Sequence, residues 1–145
     1  MIVPRNTYRT GLIRTLNQLL ETNKTVAVLM RDAAQAAQLF TTLQLDVAVS
    51  LLTEHDHQLH AGCVILPVYL AKGLEFDAVV GFDISAGTYD QPSDADVLYT
   101  LASRALHTLI LIALDRPSPL IEALPQNLYN TITTANQSTA SHAAH

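Results

Sequence analysis

The stretch Leu70-Ala71-Lys72-Gly73-Leu74-Glu75-Phe76-Asp77 sets a lysine, a glycine and two carboxylates between two apolar runs. The runs, Val64 to Val68 and Ala78 to Phe82, read as buried strands. A strand that breaks at Lys-Gly and feeds a second strand makes a short polar corner at a sheet edge, where ligands of α/β folds sit. Glu75, between Leu74 and Phe76, reads as a carboxylate inside an apolar strand. It then needs an arginine, a backbone donor or a ligand hydroxyl. The plainer alternative makes it the cap of a helix or strand end.

Two arginine clusters complete the chemistry. Tyr8-Arg9-Thr10 opens a helical pattern, which puts Arg9 beside a helix N-terminus, a place suited to anions. Taken alone, Arg9 reads first as an exposed arginine on a solvated turn. Ser103-Arg104-Ala105-Leu106-His107 closes a helix that feeds an apolar strand. Apolar residues surround Arg104, so it is either a partly buried salt-bridge partner or a phosphate-reading group. His55, His57 and His60, beside Glu54 and Asp56, lie in a polar hairpin tip, and no metal is expected there because such sites need rigid ligands. Asp83 ends a strand and reads as a loop cap or a catalytic carboxylate. Tyr89 and Tyr99 read as core or rim packing, and Cys63 as a small core residue with no base placed beside it.

These groups must be positioned by alternating strands and helices. Leu12, Ile13, Leu16, Leu19 and Leu20 recur at helical spacing behind a cap at Asn6 or Thr7. A strand over 25–30 follows, then a helix from the Asp32 cap to about Leu43, with Leu39, Phe40 and Leu43 inward. Further strands are expected over 47–52, 63–68, 78–82 and 108–114, the last almost wholly apolar and therefore central. Loops are expected over 53–62 and 85–93 and a helix from Asp94 to Leu106, with Asp96 in its first turn suiting the helix dipole. A short helix over 120–124 ends the domain, 1–124, and 125–145 reads as a poorly ordered polar tail. The pattern predicts an α/β domain with a mostly parallel sheet and helices on both faces.

Composition narrows the function. The chain has 145 residues, 49% of them hydrophobic and 14% charged, which fits one globular domain. No apolar run approaches the roughly 20 residues of a membrane span, so no membrane partner is expected. The single unpaired Cys63 suits a reduced, cytoplasmic setting. A formal charge of -5 argues against a free-standing nucleic-acid binder.

Taken together, Tyr8-Arg9-Thr10, Ala71-Lys72-Gly73-Leu74-Glu75-Phe76-Asp77 and Leu98-Tyr99 through Ser103-Arg104-Ala105 resemble motifs IV, V and VI of UvrD/Rep-type superfamily 1 helicases. The order and separations resemble those of the second RecA-like domain of such motors, a three-layer fold. The wording of 68–77 and the Arg104-Ala105-Leu106-His107 ending look most like the HelD branch, which associates with RNA polymerase. The resemblance implies that Tyr8 stacks near the adenine of ATP and Arg9 reaches its γ-phosphate. It implies too that Glu75 accepts from the ribose, Gly73 allows close backbone approach and Arg104 is an arginine finger. Where that family usually has Thr-x-His, this chain has Pro67-Val68-Tyr69, so Tyr69, with Lys72 nearby, becomes the candidate contact to single-stranded DNA. Ser103 replaces the family's threonine and keeps its hydroxyl. No Gly-x-x-x-x-Gly-Lys-Ser/Thr occurs. The expectation is half a motor, whose phosphate loop and Mg2+ ligands belong to an N-terminal RecA-like domain.

Overall fold

A computed structural model of the chain describes residues 2–55 and 62–123. β1 (Ile2–Val3) leads to α1 (Tyr8–Thr22), β2 (Thr25–Met30), α2 (Ala33–Leu43), β3 (Val49–Leu51) and β4 (Gly62–Pro67). A 3-10 turn over Val68–Ala71 follows, then β5 (Phe76–Phe82), α3 (Asp94–Ala102), β6 (Ala105–Leu114) and a 3-10 turn over Pro119–Ala123. The strands form one sheet in the order β1-β6-β5-β2-β4-β3, and all the pairs are parallel. No helix among the described residues is long and apolar enough to cross a membrane.

Parallel strands must be joined over the faces of the sheet, so both faces are covered. Side-chain alternation divides the core accordingly. Val26, Val28 and Met30 of β2 pack with Leu12, Leu16 and Leu19 of α1 and with Ala36, Leu39 and Leu43 of α2. Ala27 and Leu29 point the other way, to Leu98 and Leu101 of α3 and to Val68 and Ala71 of the 3-10 turn. This is the α/β architecture, a parallel sheet with helices on both faces, that the sequence pattern predicted. Local signals start and stop the helices. Asp32 caps α2, its Oδ1 accepting from the Gln35 N–H at 2.9 Å. Asn23 ends α1 by donating its side-chain amide to the Leu19 carbonyl at 2.9 Å. Thr7 precedes α1 without a side-chain capping bond.

Several boundaries differ from expectation, each for a pairing reason. α3 stops at Ala102, because Ala105 is already in register with Phe76 of β5 and the Phe76 N–H donates to the Arg104 carbonyl at 2.9 Å. Arg104 therefore sits in a turn, not in a helix. β6 was expected to be central, yet it lies next to the edge, flanked on its outer side by the two residues of β1. Its early residues Leu106 and His107 are exposed as a result. β1 itself is too short to leave a period in the sequence. Residues 56–61 and the expected tail at 125–145 lie outside the described residues.

The α3 layer sits close to the sheet at Gly81. A Cβ there would meet Leu101 Cδ2 and Leu111 Cδ2 at 2.9 Å and Ile84 Cδ1 at 3.3 Å. Gly81→Ala is expected to cost about 1–3 kcal/mol through overpacking. Urea denaturation of the variant checks this, and an unshifted midpoint would mean that α3 yields freely.

Candidate functional site

β4 and β5 are parallel and separated by β2, so the chain must cross the sheet from the end of one to the start of the other. It does so in residues 68–75, a span of eight residues. At about 3.3 Å per residue that is roughly 26 Å of reach, against roughly 20 Å for the six-residue strand it runs back along. The Val68–Ala71 turn uses part of that length, the Leu74 N–H donates to the Ala71 carbonyl at 2.9 Å, and Gly73 takes φ +79° to re-aim the chain. A Cβ at Gly73 would meet nothing within 4 Å, so the glycine serves the backbone angle and not a crowded neighbour. Lys72 and Glu75 are both exposed on this open side. Glu75 was expected within an apolar strand and in need of a partner. It instead precedes β5 and is solvated, because the strand begins one residue later.

Arg104 leans on the same corner. Its Nη1 donates to the Leu74 carbonyl at 3.3 Å and its Nη2 to Ser103 Oγ at 3.1 Å. The Ser103 hydroxyl donates in turn to the Thr100 carbonyl at 2.9 Å. The Nε–H is buried with no acceptor among the described residues. A buried donor left unmatched costs about 1–3 kcal/mol, and an anion would relieve it. The donor set fits a nucleotide: an arginine N–H suits a phosphate oxygen, and the exposed Glu75 carboxylate suits a sugar hydroxyl.

Tyr8 and Arg9 are not brought there. α1 covers the opposite face of the sheet, where the Tyr8 ring packs on Phe82 with centroids 5.0 Å apart and an interplanar angle of 54°. Arg9 Nη2 is hydrogen-bonded to Asp46 Oδ2, and its Nε reaches the Thr42 carbonyl at 3.4 Å. The arginine that does share a layer with Arg104 is Arg31, which the motif reading passed over. It stands just past the carboxyl end of β2, with its guanidinium 5.9 Å from the centroid of the buried Tyr89 ring. Arg31 Nη2 donates to Asp94 Oδ1 at 2.7 Å, while Asp94 Oδ2 accepts from the Gln91 N–H at 3.0 Å. Asp94 is the first residue of α3 and Arg104 follows its last turn, so the helix spaces the two arginines by roughly 15 Å of rise. In the sequence, Arg31 stands directly after a buried strand and directly before a helix cap.

Other candidates separate cleanly. Tyr69 is half-exposed and donates its hydroxyl to Glu54 Oε1 at 2.9 Å, a bond that raises its pKa above the usual phenol value. It lines a small cavity of about 190 Å3 with Ala33, Leu51 and Pro67. Of the three histidines only His55 is among the described residues. Tyr89 is core, whereas Tyr99 is 62% exposed on the rim. Asp83 is neither a simple cap nor solvated: it is buried with φ +62°.

Residues 62–112 match the family model of the UvrD-like helicase C-terminal domain. That stretch runs from β4 almost to the end of β6, so the corner and Arg104 fall inside it and Tyr8, Arg9 and Arg31 outside. A solved structure, the C-terminal domain of a possible DNA helicase from Lactobacillus plantarum WCFS1, is similar over the whole fold. It has a TM-score of 0.78 and 29% identity, covering 89% of this chain and 81% of that one. No curated protein matches the chain. By family model and by solved structure alike, the chain is similar to a UvrD-like helicase C-terminal domain.

Cys63 takes no part in this chemistry. Burial pushes its thiol from 9.0 up to about 12, so the thiolate needed for attack is scarce at pH 8. Folded protein is expected to resist a disulfide reagent such as DTNB at pH 8, and urea-unfolded protein to react at once. Rapid labelling in the folded state would contradict the buried placement.

Proposed function

We propose that this chain is the C-terminal motor domain of an ATP-dependent DNA helicase or translocase acting on single-stranded DNA. It supplies one wall of an ATP cleft whose other wall, with the Mg2+ ligands, belongs to an N-terminal RecA-like domain. One observation supports this above the rest: Arg104 is braced on the Leu74 carbonyl with its Nε–H unmatched, beside an exposed glutamate and an open glycine. Arg104 would neutralise charge on the transferring phosphoryl group, Glu75 would accept from the ribose, and Gly73 would let the backbone come close. Arg31, on the same layer, is better placed than Arg9 to be the second phosphate-reading arginine. Arg9 would first have to leave Asp46, and Tyr8 would have to leave Phe82, before either could serve the nucleotide. Tyr69 and Lys72, on the crossover that leaves β4, would carry the contact to the strand.

A second reading has an observation of its own. Tyr69 stands where the family usually has Thr-x-His, and it is hydrogen-bonded to Glu54 with Asp32 nearby. Acidic company repels a phosphate backbone. It favours a HelD-like module that docks on RNA polymerase and uses ATP as a release signal. Unwinding without polymerase capture by the full-length protein supports the motor, and capture without unwinding supports the dock.

Arg104→Ala in the full-length protein should lower ATP turnover by about a thousandfold or more while nucleotide binding is partly kept. Arg31→Ala should lower it by about a hundredfold. Arg9→Ala should stay within about fivefold, the worth of an exposed ion pair. Steady-state phosphate release measures all three. Unchanged turnover in Arg104→Ala would reject the finger, and an Arg9→Ala loss as deep as that of Arg31→Ala would reject the layer assignment.

A further inference from the structure

The opposite layer carries a second, independent feature. Between α1 and α2, over the carboxyl ends of β2, β5 and β6, lies a cavity of about 570 Å3. Its size is that of a small-ligand site, and the carboxyl edge of a parallel sheet is where such sites form. Its walls include the Tyr8 and Phe82 rings and Leu114, and its polar groups include Gln35, Asp83 and Arg5.

Two of those polar groups are incomplete. Asp83 is 7% exposed, and its Oδ1 has no hydrogen-bond partner among the described residues; Oδ2 accepts from Thr88 Oγ1 at 3.2 Å. Gln35 Oε1 is likewise buried without a donor. Both unmatched atoms are acceptors, so they select a ligand that brings donors. The local charge agrees. The Arg5 guanidinium is the only cation lining the cavity among the described residues, and it stands between two carboxylates, Asp83 at 3.6 Å and Asp115 at 3.8 Å. Those distances are ion-pair contacts without a hydrogen bond. Arg5 is half-exposed and can swing to Asp115 alone, while the main chain stays pinned by the Arg5 N–H to Asp115 Oδ1 bond of 2.9 Å.

We propose that this cavity binds a ligand presenting an ammonium or guanidinium group, which displaces Arg5 from Asp83. The incoming cation donates to Asp83 Oδ1 and Gln35 Oε1, and its apolar stem lies along Tyr8 and Phe82, where the ring faces favour a cation. The site lies on the opposite layer from the Arg104 wall and does not use Arg104. A free amine and an arginine side chain of a polypeptide share this chemistry.

Titration calorimetry of the full chain with agmatine, and with a capped Gly-Arg-Gly peptide, tests it. At least one probe should saturate below about 1 mM, a weak-ligand affinity. Asp83→Asn keeps a residue type that tolerates positive φ, and should weaken binding about tenfold or more. Gln35→Leu, which removes the second unmatched acceptor, should weaken it severalfold. Arg5→Gln removes the competing guanidinium and should tighten binding about threefold. Tighter binding of agmatine identifies a small amine as the source, and tighter binding of the peptide identifies a protein side chain. No saturable binding of either probe would overturn the proposal, as would unchanged binding in Asp83→Asn together with Gln35→Leu, or weaker binding in Arg5→Gln.

Discussion

The passage from β4 to β5 in eight residues constrains the rest of the molecule. A parallel crossover usually takes a dozen or more residues and carries a helix. Here there is room for one 3-10 turn and an extended return, which leaves little slack for Lys72-Gly73-Leu74-Glu75. The taut path explains why the glycine is needed for its angle, why Glu75 ends in solvent, and why the Leu74 carbonyl is free to receive Arg104. The backbone bond from Phe76 to the Arg104 carbonyl then ties the α3–β6 turn to the same corner. Two segments thirty residues apart thus meet at one edge.

The sheet also acts as a partition. Side chains alternate across β2, so each face has its own core and each layer its own polar groups. Arg104, Arg31, Asp94 and Tyr89 belong to the α3 layer. Arg5, Arg9, Asp83 and Gln35 belong to the layer of α1 and α2, where Asp46 already holds Arg9. Charge pairing is therefore settled within a layer, and motifs that are neighbours in a linear reading can end on opposite sides of about 10 Å of packed strand and helix.

What could be read from the sequence follows from this. Strong periods gave the elements with deep burial: 25–30 and the Asp32-capped helix match within a residue. The turn at Lys72-Gly73 was legible because a glycine at positive φ is a local signal. Three things were not. β1 has two residues and no period, and it owes its existence to pairing with Ala113 and Leu114. The end of α3 is set by strand register across the sheet, a long-range effect that helical propensity outran at Arg104. The face on which α1 packs depends on sheet order, so local spacing could not tell that Tyr8 and Arg9 stand on the layer opposite Arg104.

Buried polar atoms in folded proteins are almost always matched, so those that are not call for a cause. Among the described residues four such side-chain atoms remain: Arg104 Nε, Tyr89 Oη, Asp83 Oδ1 and Gln35 Oε1. They do not scatter. The donor-bearing Arg104 and Tyr89 lie in the α3 layer, one at the corner and one beneath Arg31. The acceptors of Asp83 and Gln35 line a single cavity in the other layer. The part-buried Asp77, by contrast, accepts from the Lys24 and Thr25 N–H groups at 3.1 and 3.2 Å. The two groups able to donate lie in the α3 layer, and the two atoms that only accept share one cavity. On the readings proposed above, the unmatched Arg104 donor would take an anion against α3, and the unmatched acceptors of Asp83 and Gln35 would take a cation between α1 and α2.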